Sequence, residues 1–172
     1  MAELQPTDAG SNIYLPPFLD LVAWSEGTSR NPATKNDGYD VIVTSHTGIP
    51  EIFTDYTDHP FDQGRAPVLV RAGSAGGRPL YSDAAGRYQE MLKIWRAYRS
   101  QLNLPDFSPR SQDLIARQLI SDCNALHLIA GGEIGAAITA CSKEWASFPG
   151  NSYGQGNNSM DALLAKYAEL KG

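Results

Sequence analysis

The stretch "VAWSEGTSR", Val22 to Arg30, ends an apolar run on Ser25, Glu26 and Gly27. Its single carboxylate is the strongest candidate for chemistry in the chain. On a helical wheel advancing about 100° per residue, Leu19, Leu21 and Val22 fall on one arc with Phe18. Ser25 and Glu26 land on that same arc, while Asp20 and Trp24 point elsewhere. Glu26 is therefore expected at a helix C-terminus, aimed at the interior or a cleft floor. Burial and the negative end of the helix macrodipole both disfavour its ionised form. A carboxyl held protonated at neutral pH is a general acid, and glycosidic cleavage needs one because the leaving oxygen must be protonated as it departs.

Most glycosidases add a second carboxylate as nucleophile or base. Asp37, Asp40, Asp55 and Asp58 are the candidates, and spacing does not choose among them; each also reads as a turn or capping residue. A zinc site is not indicated. His46, His59 and His127 are scattered, and Cys123 and Cys141 have no metal-ligand spacing. His59 reads as a structural hydrogen-bonding residue. The two cysteines sit in apolar helical patterns and read as buried free thiols, as in a reducing compartment of synthesis.

The element that positions Glu26 is predicted as a helix over 16–26, opened by Pro16 and Pro17 and stopped by Gly27. "YDVIVTS" and "EIFTDY" read as two short strands joined by "HTGIP". Residues 57–86 read as a long irregular loop rich in glycine and proline, of a length that is often functional. From Arg87 the apolar residues Tyr88, Met91, Leu92, Trp95, Tyr98 and Leu102 repeat at helical spacing. Arg87, Lys93, Arg96 and Arg99 would form a solvated basic face there. Ser108 and Pro109 open another helix, and Ser159 caps a last one carrying Met160, Leu163, Leu164 and Tyr167. Ile134, Ala137, Ile138, Cys141 and Trp145 form a further apolar stripe. Trp24 is expected to pack beside the acid, with Trp95 and Trp145 in the core.

A length of 172 residues points to one domain, and a net charge of −5 argues against nucleic acid as a partner. The N-terminal twelve residues lack the basic and apolar regions of a secretory signal, and no apolar run suits a membrane span. A substrate outside the cytoplasm would then require another protein for release.

Several blocks are similar to those of the lambda-type phage endolysins, peptidoglycan lytic transglycosylases of lysozyme-like fold. They are "LVAWSEGT", "GYDVIV", "FTDYTDHP", "AAGRYQ", "DFSPRSQD" and "CSKEWASFPGNSYGQ", in family order over nearly the whole chain. The resemblance implies an α+β fold: one mainly helical catalytic domain over 1–172, a small β-hairpin lobe, a cleft between them, and residues 1–12 flexible. It implies Glu26 as the one essential acid, cleaving the bond between N-acetylmuramic acid and N-acetylglucosamine with 1,6-anhydro ring closure. A hydrolysing lysozyme using a second carboxylate is the alternative. Candidate substrate contacts are Ser25, Asp55, Tyr56, Tyr88, Gln89, Tyr153 and Gln155, of which Tyr88 reads equally as core. No cofactor or metal is implied. The expected partner is the peptidoglycan glycan strand, for a monomer released through a separate holin and acting in the periplasm. The chain departs from the family in its longer hairpin connection "TSHTGIP" and in its acidic balance.

Overall fold

The computed structural model describes residues 1–2, 12–73, 77–150 and 158–172. Its first helix, α1 (Leu15–Ser25), carries prolines at its opening positions, where a missing N–H costs little. Glu26 is its C-cap, and Gly27 follows in the left-handed region at φ 78°. Leu15, Phe18, Leu19, Leu21, Val22 and Ala23 are fully buried, and Asp20 is buried with them. The helix is thus enclosed on nearly every side. That overturns the expectation that Asp20 points away from the interior: its carboxylate accepts the Ala2 N–H at 2.7 Å. Trp24 lies under the Lys166 ammonium, 6.0 Å from its ring centre.

The chain forms two compact units, residues 1–27 with 113–172, and residues 28–112. In the first, α1 packs on α6 (Met160–Lys171) and on the short α4 (Leu126–Ala130). The long α3 (Pro109–Asp122) begins at the proline expected to open it. The stripe from Ile134 to Trp145 spans α5 (Ile134–Ala140) and a 3-10 turn over Cys141–Lys143. Each of its apolar members is buried. Phe148 meets Phe18 and Trp145 edge-on at 6.2 and 6.0 Å. Both cysteines are free, Cys141 buried and Cys123 half-buried.

The second unit holds a four-stranded antiparallel sheet in the order β2-β1-β5-β6. Its strands are β1 (Val41–Ile42), β2 (Glu51–Ile52), β5 (Ala84–Ala85) and β6 (Glu90–Met91). The expected hairpin is present, with Val41 opposite Ile52 and Ile42 opposite Glu51. The segment expected to be irregular, 57–86, instead contains a second hairpin, β3 (Val68–Arg71) with β4 (Leu80–Ser82). Pro67 and Pro79 directly precede its strands, where a proline needs no ladder hydrogen bond; those prolines hid it. The helix expected from Arg87 starts only at Leu92 (α2, Leu92–Leu102). Gln89 adopts φ 52°, which breaks any continuous helix, and Met91 belongs to β6.

Arg87 therefore lies off the basic face. Its guanidinium is buried, 2.7 Å from the Asp37 carboxylate and 4.9 Å above the Tyr39 ring. Arg96 and Arg99 pair with Asp62 and Asp58. Trp95 and Phe107 centre this core. Gln112, fully buried, ties three backbone segments together. Its Oε1 accepts the Arg87 N–H at 2.9 Å, and its Nε2 donates to the carbonyls of Tyr39 and Phe107 at 3.1 and 2.9 Å. Gly86 passes so close that a Cβ there would lie 2.3 Å from Gln112 Oε1.

Candidate active site

Glu26 leaves α1 at its last turn, where its N–H still bonds the Val22 carbonyl at 2.9 Å. Its Oε1 accepts the Ser147 hydroxyl at 2.6 Å, and the Ser147 backbone N–H also supports the carboxylate. The removal of water around the carboxyl dominates. Desolvation raises the Glu26 pKa above the ordinary carboxylate range, and the Ser147 bonds partly offset that rise. Glu26 itself is half-buried beside the buried Ser25, and its pKa moves in the expected direction, upward.

Behind it stands a chain of polar groups. Ser25 Oγ donates to Ser147 Oγ at 2.8 Å, and Asn158 Nδ2 donates to Ser25 Oγ at 3.0 Å. The Asn158 backbone N–H bonds the Ser147 carbonyl at 3.2 Å. Of these residues, sequence reasoning singled out only Ser25, as a sugar contact. Ser147 lay inside a family-like block without being distinguished, and nothing in local spacing marked Asn158.

The four candidate second carboxylates, all within residues 28–112, are occupied. Asp40 is buried and accepts from Thr34 Oγ1 and the Lys35 N–H at 2.5 and 2.8 Å, closing its own loop. Asp58 takes the Trp95 indole N–H at 2.6 Å and the Arg99 guanidinium at 2.5 Å. Asp37 holds Arg87. Asp55 is exposed and accepts the Thr57 N–H and hydroxyl at 2.9 and 2.7 Å, bonds that lower its pKa.

Tyr56 accepts from Asn36 Nδ2 at 3.0 Å, with its ring 5.0 Å from Phe53. Gln89 is half-buried, its amide turned back to the Gly86 carbonyl at 3.1 Å. Tyr88 is a core residue, 1% exposed and edge-on to Tyr39. Tyr153 and Gln155 lie outside the described residues. His59 is buried beside Phe107, with Nε2 3.1 Å from the Glu90 carbonyl; desolvation lowers its pKa, as suits a structural histidine. Among the described residues, no group of three or more His, Cys, Asp or Glu side chains is arranged to hold a metal. No helix there is long and apolar enough to cross a membrane.

The helices with their small antiparallel sheets make a mixed α+β fold of the lysozyme class. Phage lambda lysozyme in complex with a chitohexasaccharide superposes with a TM-score of 0.81 at 45% identity, over 100% of this chain and 98% of that one. A second structure of lysozyme from bacteriophage lambda gives 0.75 at 43% identity, with the same coverage. The endolysin of Escherichia phage P2 is 51% identical over 156 residues, 90% of this chain and 91% of that protein. The endolysin of Escherichia phage lambda is 47% identical over 156 residues, 90% of this chain and 89% of that protein. The family model described as Endolysin matches residues 16–172. The chain belongs to the endolysin family, the peptidoglycan-cleaving lysins of phages.

Proposed function

We propose that this endolysin is a lytic transglycosylase in which Glu26 serves first as acid and then as base. Its proton passes to the glycosidic oxygen between N-acetylmuramic acid and N-acetylglucosamine as the C1–O bond breaks. The resulting carboxylate takes the proton of the muramoyl C6 hydroxyl while O6 bonds to C1. Glu26 ends the cycle protonated, and no water is consumed.

The observation that carries this reading is the state of the carboxylates. Glu26 has a raised pKa, while Asp37, Asp40, Asp55 and Asp58 are all engaged in bonds that hold their own loops. A one-carboxylate mechanism needs nothing more from them. Asp55, Tyr56, Gln89, Tyr153 and Gln155 are assigned to the glycan strand, a ligand of the same class as the chitohexasaccharide bound by the lambda relative. Ser25 is assigned to the support of the acid and Tyr88 to the core. Residues 1–172 act as one catalytic domain, in a monomer that needs no cofactor, reaches the periplasm through a holin and does not insert in the membrane.

Mass spectrometry of digested peptidoglycan tests the reading. Muropeptides lighter by one water than hydrolysis products, with anhydro ends, are expected. Reducing muramic acid ends carrying labelled oxygen from solvent would replace it with the hydrolytic mechanism. Glu26→Gln should abolish turnover with the fold retained.

A further inference from the structure

We propose that Ser147, backed by Ser25 and Asn158, is a positioning residue that sets the protonation of Glu26. This rests on the reading of Glu26 as the acid. The three side chains and the carboxyl form an unbroken series, Asn158 Nδ2 to Ser25 Oγ to Ser147 Oγ to Glu26 Oε1, at 3.0, 2.8 and 2.6 Å.

The two ends fix its direction. An amide NH₂ only donates and the ionised carboxylate only accepts, so around that form each hydroxyl accepts from behind and donates forward. Every dipole in the series therefore points its positive end at Glu26, and successive bonds polarise one another. The same residues are locked from outside. Asn158 is tied through its own N–H to the Ser147 carbonyl at 3.2 Å, directly before the capped start of α6 at Ser159. Ser25 is 7% exposed in the last turn of α1.

Two consequences bear on the reaction. With Oε1 occupied by a donor, the transferable proton resides on Oε2, so the series selects which oxygen faces the glycosidic bond. The donors also stabilise the carboxylate left after the first proton transfer, which is the form that must act as base. Desolvation alone would make Glu26 a reluctant donor; the series opposes it and holds the group able to work in both directions.

The test is a carbon-13 NMR titration of the Glu26 carboxyl, its signal assigned by loss in Glu26→Gln, beside kcat and KM against pH on purified peptidoglycan. In Ser147→Ala the carboxyl midpoint should move to higher pH, as should the alkaline limb of the profile. The variant's kcat should fall about tenfold, less than the roughly hundredfold or more expected for losing the acid–base group itself, with KM nearly unchanged. Ser147→Thr, which keeps the hydroxyl, should restore both. Asn158→Ala, two bonds removed from the carboxyl, should give a smaller shift in the same direction, and it decides the matter if Ser147→Ala does not fold. An unmoved midpoint in a folded Ser147→Ala, or in Asn158→Ala if that must decide, overturns the proposal. Full activity in Glu26→Gln would instead overturn the reading of Glu26 as the acid, whatever the titration gives.

Discussion

At the scale of single residues, Glu26 links activity to stability. Its pKa is raised on folding, so the folded protein binds that proton more tightly than the unfolded chain does. The stabilisation is complete below the unfolded carboxyl value of about 4.3 and is lost as pH rises through the folded value. Glu26→Gln keeps an acceptor for Ser147 but cannot ionise. It should therefore raise the melting temperature at pH 7 relative to the wild type, with the advantage disappearing near pH 4. Thermal denaturation at both values checks this, and an equal effect at the two would show that the charge is not the cause. Glu26 was legible in the sequence because an apolar helix, a carboxylate and a terminating glycine are adjacent. Ser147 was not, because it comes 121 positions later, and a contact over that separation leaves no periodicity to read.

At the scale of elements, the second unit depends on one amide as much as on its strands. β1, β5 and β6 are only two residues long each, too short to hold a sheet by themselves. Gln112, in the first turns of α3, supplies the missing connections to 39, 87 and 107. Gln112→Leu leaves three buried backbone groups without their partner and should cost about 3 kcal/mol in urea unfolding. Ser159 accepts the Ala162 N–H at 3.2 Å at the start of α6. Ser159→Ala should cost about 1 kcal/mol by the same measurement. The helix starts at Pro109 and after Ser159 were readable because caps and prolines act locally. The β3–β4 hairpin and the late start of α2 were not, since a four-residue strand after a proline resembles a loop. The turn at Gly86–Gln89 is held by tertiary bonds of Arg87 to Gln112, Asp37 and Thr28, so propensity was overridden there.

At the scale of the whole molecule, charge is divided unevenly along the chain. Residues 28–112 carry ten Lys and Arg against nine Asp and Glu, while the remainder carries four against ten. The sum of −5 repels an anionic wall at low salt. Raising ionic strength from about 0.01 to 0.15 M shortens the Debye length to about 8 Å, so KM on purified walls should fall; a rise would reveal a cationic docking face instead. The bounding helices of the first unit were legible from their apolar stripes, and the fold class from the resemblance of the sequence blocks. Its thiols add a different kind of information. Cys123 and Cys141 are hydrogen-bond neighbours, and burial raises the pKa of each, so neither is a ready thiolate at neutral pH. Cys141 has no exposure, so an alkylating reagent must wait until the packing around α5 opens. The rate at which Cys141 takes up iodoacetamide is thus a clock for that opening. It needs no introduced residue, and can be read while the enzyme is at work on its wall.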